Sequence, residues 1–193
     1  MILLYVQNKF MGEGGEMISL FAIWLASGLC FGQGWVEERV HISSHSLKSR
    51  LAGIYTSALT PKTGTFVWFQ ADKEYSQSYA GLTYLPTEWL QVAAGAGLEQ
   101  NSDPLRIGGF AAVNRKGGKG LLILETGGSG FFWRVEAGYP LGKGFGLGVL
   151  SQVNKGSGLR VEYRLKKMPL VLWSDFFCTK KLIGVMGVRW IFR

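Results

Sequence analysis

Cysteine, histidine and charge are all scarce in this 193-residue chain, which holds two Cys, two His and 18% charged residues. Two cysteines, Cys30 and Cys178, cannot build a disulfide framework. His41 and His45 stand without the Cys, Asp or Glu spacing of a metal centre, so no metal site and no cofactor is expected. The low charge excludes a disordered chain, and five prolines without a G-X-Y period exclude collagen. No internal repeat marks a propeller or solenoid. No apolar run reaches the ~20 residues of a spanning helix. The longest, residues 17–32, has the length of a signal-peptide apolar region and is succeeded by small residues. Residues 1–34 are therefore expected to be a signal or targeting segment, starting at Met1, Met11 or Met17, and 35–193 a single domain.

What is abundant is glycine, 28 residues, and aromatics, 13% of the chain. From residue 50 onward, short segments alternate with period two. They cover 50–59, 65–71, 78–85, 90–100, 105–114, 120–126, 130–139, 145–153, 158–164, 170–177 and 182–192. Residues 36–43 supply a possible twelfth. Turn chemistry separates them: Pro61-Lys62-Thr63-Gly64, Asn101-Ser102-Asp103-Pro104, Lys116-Gly117-Gly118-Lys119 and Asn154-Lys155-Gly156-Ser157. Connections this short join antiparallel neighbours as hairpins. Gly142, Gly144, Gly146 and Gly148 alternate and are expected on one strand face, as space or a bend.

The two faces differ in kind. Leu159, Val161 and Tyr163 oppose Arg160, Glu162 and Arg164; Phe131, Trp133, Val135, Ala137 and Tyr139 oppose Arg134 and Glu136. A soluble sandwich or barrel would also alternate. Small residues mixed with opposite charges suit a confined lumen better than a solvent face, and the apolar face would then meet lipid. In a bilayer only a closed barrel satisfies every backbone group of a sheet. Trp and Tyr near segment ends fit interfacial girdles. Twelve strands of about nine residues with short turns need roughly 160 residues, close to the length of chain beyond Gly32. The expected fold is thus all-β, a closed antiparallel up-and-down transmembrane barrel of about 12 strands, with ten as the alternative.

The charge balance is +8, with a pI near 9.6. The lysines fall in separate Gly-rich turns and form no continuous patch, so no nucleic-acid partner is expected. Ser43 and Ser46 flank the histidines, but nothing holds a nucleophile, base and orienting group together, so no enzyme and no catalytic residue is expected. Lys116-Gly117-Gly118-Lys119-Gly120 lacks the strand–loop–helix setting and the Ser/Thr of a phosphate loop. The residues singled out are a ladder of opposite charges: Glu99, Arg106, Glu125, Arg134, Glu136, Arg160, Glu162 and Arg189 are expected to line the lumen, either as an ion-pair filling or as a selectivity lining. The lumen is expected to be small or closed.

The C-terminal run Gly184-Val185-Met186-Gly187-Val188-Arg189-Trp190-Ile191-Phe192 resembles the last strand of bacterial outer-membrane β-barrels, with Arg193 after the aromatic as a departure. Tyr79-Ala80-Gly81-Leu82-Thr83-Tyr84, Ala94-Gly95-Ala96-Gly97-Leu98-Glu99 and Gly158-Leu159-Arg160-Val161-Glu162 resemble a family of small barrels with no established activity. The resemblance covers about residues 50–192. It implies a bacterial outer-membrane location, the lipid bilayer as surroundings, and the barrel-assembly machinery as a partner through the last strand. The function expected is a narrow porin-like channel or a structural barrel. The alternative is a soluble periplasmic barrel binding a small apolar ligand.

Overall fold

Period-two alternation becomes a sheet that closes on itself. A computed structural model describes residues 32–43, 46–178 and 182–192 of the chain. Its strands are β1 (Gln33–Ser43), β2 (Ser46–Ala58), β3 (Thr63–Asp72), β4 (Ser76–Thr87), β5 (Leu90–Glu99) and β6 (Leu105–Arg115). They continue as β7 (Gly118–Gly127), β8 (Phe132–Gly142), β9 (Phe145–Gln152), β10 (Gly156–Arg164), β11 (Leu170–Cys178) and β12 (Leu182–Phe192). Each pairs antiparallel with its sequence neighbours, and β1 pairs with β12 from Gly34↔Phe192 to Ile42↔Gly184. The result is a closed twelve-stranded up-and-down barrel with no free edge. The even count puts Gln33 and Phe192 on one rim, the terminal rim; the opposite rim carries the β1–β2, β3–β4, β5–β6, β7–β8, β9–β10 and β11–β12 connections.

The expected signal segment lies outside the described residues except for 32–34, and β1 already starts at Gln33, paired with Thr56 of β2. The possible twelfth strand is real and longer than its sequence signal. Its alternation is blurred because Glu38 interrupts an otherwise apolar face of Val36, Val40 and Ile42. The glycine series 142–148 needs correction. Gly142 and Gly144 flank the β8–β9 turn with φ of +92° each, so only Gly146 and Gly148 share a strand face. With Lys143 also at φ 55°, the turn needs left-handed backbone, which glycine supplies without a Cβ clash.

Large apolar side chains stand exposed around the outside: Leu82, Leu98, Ile107, Leu124, Val135, Leu147, Val149, Leu159, Val161, Leu172, Met186 and Val188 among them. A water-soluble monomer rarely exposes a contiguous apolar patch beyond a few hundred Å², whereas a belt of this kind, carried by eleven of the twelve strands, matches the lipid face of a transmembrane barrel. Tyr84, Tyr139, Phe145 and Trp190 lie outward toward the terminal rim, and Phe131 and Phe176 toward the opposite one. These are the two levels at which interfacial aromatics settle. Cys178 is a free, exposed thiol.

Candidate functional site

Alternation places every second side chain inside, and the interior is filled by two different chemistries. Along β3 to β6 it is aromatic. The Phe66 and Phe110 rings meet edge-to-face at 5.5 Å, and Trp68 leans on Tyr79 at 5.5 Å. Glycine makes the room: a Cβ on Gly81 would lie 2.7 Å from the Phe66 ring. Beside these rings and across from them, the walls carry ion pairs.

Three clusters hold those charges. In the first, Glu99 at the end of β5 accepts from Arg106 Nη1 (2.8 Å), Tyr75 Oη (2.6 Å), the Ser129 amide (2.7 Å) and Ser129 Oγ (2.6 Å). Tyr75 and Ser129 belong to the β3–β4 and β7–β8 loops, which dip inward to reach it. Arg106 also donates to Tyr79 Oη (2.6 Å) and to Glu125 (3.3 Å) and is 2% exposed. Burial, then the Glu99 hydrogen bond, push Tyr75 up to about 12, so it stays a neutral donor.

In the second, Asp175 of β11 accepts from Arg160 Nε (2.6 Å) and Nη2 (2.9 Å) and from Arg134 Nη2 (3.3 Å). Glu136 bridges the same two arginines, 2.8 Å from Arg160 Nη1. Glu162 pairs with Lys119 across the barrel. In the third, Glu37 of β1 accepts from Arg189 Nε (2.6 Å), Trp173 Nε1 (3.1 Å) and Arg39. Arg160 and Arg189 also stack on Trp173 and Trp35, at 4.5 and 4.6 Å. Nearer the rim, Arg50 holds Asp72 at 2.6 Å.

Of the residues singled out from sequence, Glu99, Arg106 and Glu125 stand in the first cluster, Arg134, Glu136, Arg160 and Glu162 in the second, and Arg189 in the third. Their partners Glu37, Arg39, Arg50, Asp72, Lys119 and Asp175 were not singled out. Glu37 and Arg39 share the alternation of β1. Asp175 sits between Trp173 and Phe177 on a strand whose inner face reads as apolar, so only the register Arg160↔Asp175 reveals it. His41 lies on β1, its Nδ1 3.1 Å from Lys155 Nζ. Lys155 belongs to the β9–β10 turn and reaches the interior cavity.

A cavity of about 380 Å³ remains in the interior, reaching from Trp35 and Lys119 to Tyr75 and Ser129. Eight basic side chains line it, the six arginines 39, 50, 106, 134, 160 and 189 with Lys119 and Lys155. Three acids do: Glu125, Glu136 and Asp175. Among the described residues no group of three His, Cys, Asp or Glu side chains could hold a metal ion.

No family model matches the chain, and no curated protein matches it in sequence. Solved structures do match in shape. The KdgM porin superposes with a TM-score of 0.61 at 14% identity over 82% of this chain and 99% of that one. The NanC porin gives 0.53 at 11% identity over 81% and 98%. The outer membrane phospholipase A of Escherichia coli gives 0.55 at 9% identity over 83% and 90%. At these identities the likeness is one of fold: the chain shares the closed barrel of bacterial outer-membrane proteins.

Proposed function

We propose that the protein is an integral outer-membrane barrel acting as a narrow channel that favours anionic solutes. The observation that carries this reading is the lining of the cavity, eight basic side chains against three acidic ones, with the partner carboxylates of Glu37, Asp72, Glu99 and Glu162 set outside the lining. In a narrow passage with low-dielectric walls, such an excess concentrates anions and repels cations. The apolar belt supports the bilayer as its surroundings, and β12 with its outward Phe192 supports delivery by the barrel-assembly machinery. Two structural neighbours are named porins, and one KdgM structure is described as in complex with disordered oligogalacturonate, a polyanion. The fold also serves a phospholipase. Here His41 faces inward onto a lysine.

Fractionation and a planar-bilayer recording test this. The protein is expected in the outer membrane, migrating differently on a gel before and after boiling. In a KCl gradient its reversal potential should lie toward the chloride equilibrium. Recovery in the soluble fraction without a heat shift would overturn the membrane reading. A reversal potential on the potassium side would overturn the anion preference, and a folded barrel with no unit conductance would overturn the channel.

A further inference from the structure

Seven of the eight basic side chains on the cavity wall have a carboxylate partner. Arg39 and Arg189 pair with Glu37, Arg50 with Asp72, Arg106 with Glu99 and Glu125, Lys119 with Glu162, and Arg134 and Arg160 with Glu136 and Asp175. Lys155 alone has none among the described residues. Its polar neighbour is His41 Nδ1 at 3.1 Å, and its ammonium lies 5.7 Å from the centre of the Phe177 ring. His41 Nε2 is buried with no hydrogen-bond partner. A lysine without a counter-ion and the histidine it touches, whose other ring nitrogen has no partner, thus share the wall of one cavity.

We infer that Lys155 and His41 form an oxyanion subsite inside the barrel, which takes one carboxylate of a solute. This deepens the channel reading above and rests on it for the route by which the solute arrives. The bound carboxylate accepts a charge-assisted hydrogen bond from Lys155 Nζ, and His41 supplies a second donor through a ring N–H. The strand pattern did not reveal the subsite, because its lysine comes from a turn. That turn is tightened by left-handed backbone at Asn154 (φ 64°) and Gly156 (φ 71°), and Asn154 and Lys155 both line the cavity.

The charge of Lys155 is itself poised. Burial, then Arg134 of β8, Arg50 of β2 and Arg39 of β1, push the amine down to about 7, while Asp175 of β11 acts in the opposite sense. The amine is therefore charged below pH 7 and neutral above it. An anion stabilises the charged form, so binding is tighter on the acid side.

Gluconate titration of the detergent-purified full barrel, monitored by calorimetry, tests the subsite. Wild-type protein should bind one gluconate, more tightly at pH 6 than at pH 8.5. Lys155→Met should weaken binding by about tenfold or more and remove the pH dependence. Lys155→Arg should keep binding and lose the pH dependence, because guanidinium stays charged. Lys166→Met, in the exposed β10–β11 turn, should change nothing. Heat-shift gels establish that each variant is folded; should Lys155→Met fail there, the Lys155→Arg profile still decides. Wild-type-like binding by Lys155→Met, an unchanged pH profile in Lys155→Arg, or no gluconate binding to wild type would each overturn the subsite. The reversal potential is a separate readout, so a failed subsite and a failed channel are distinguishable.

Discussion

Asp175 shows what a single residue does inside this barrel. It is 1% exposed and accepts from both Arg160 and Arg134. A buried charge is tolerable only when its partners are in place, and removing one partner strands the others. Asp175→Ala is therefore expected to lower stability by about 3–5 kcal/mol, read as the urea midpoint of reversible folding into bilayers. Arg50→Ala removes a pair that is partly open at the rim and should cost about 1 kcal/mol or less. Equal losses for the two variants would show that burial does not set the worth of these pairs. Sequence reading found the charged members of alternating strands, such as Arg160 and Glu162, because their neighbours Leu159 and Val161 mark the opposite face. It missed Asp175 because the inner face of β11 is otherwise Val171, Trp173 and Phe177, which reads as lipid-facing. The acid belongs to that face only through the arginines opposite it, and a one-strand pattern carries no information about strands across a lumen.

At the scale of the element, the outward face is nearly free of charge. Glu38, the middle residue of β1, is the one charged side chain placed outward between strand ends among the described residues, and Ser49 Oγ donates to it at 2.8 Å. Its neighbours across the ladder are Val188 and Leu51. A charge on a lipid face costs up to about 2–4 kcal/mol at midplane for Arg or Lys and less for an acid. Val161→Arg, on β10, should therefore reduce assembly by an amount in that range, scored as the fraction of heat-shifted protein. Glu38→Leu should move the other way and raise the folding midpoint by about 1 kcal/mol or more. A lower midpoint would mean that the carboxylate is compensated within the bilayer. The same residue explains why β1 was the faintest strand in the sequence: one outward Glu beside inward Glu37 and Arg39 turns a clean alternation into a polar run. Strand count, pairing and faces were otherwise legible, because period two is local. The inward lean of the β9–β10 turn was not, since Asn-Lys-Gly specifies a tight turn but not the side to which the hairpin tip tilts.

For the whole molecule, closure decides what the interior can be. Twelve strands enclose more room than glycine-lined walls need, and the space is divided unevenly. Phe66, Phe110, Trp68 and Tyr79 fill the β3–β6 side beside the paired Arg106, and further paired arginines reach inward from β1, β2, β8, β10 and β12. The cavity of about 380 Å³ is lined by the arginines and, of these rings, by Trp68. Its selectivity is therefore set by the charges on its wall, and its bore should widen when the rings of Phe66 and Phe110, which are not among its lining residues, are removed. The two properties should separate on mutation. Phe66→Ala with Phe110→Ala removes two rings and no charge, at a stability cost of at most about 3–5 kcal/mol for each ring, and less where water enters the vacated space. Unit conductance should rise in planar bilayers, while the chloride-side reversal potential stays where it was. Lys119→Glu, which leaves Glu162 facing a like charge, should shift the reversal potential toward potassium with little change in conductance. If the double Phe variant altered selectivity instead, the ion-pair wall would have to depend on the aromatic wall for its position. The interior would then act as one packed plug, and the narrow passage would not exist.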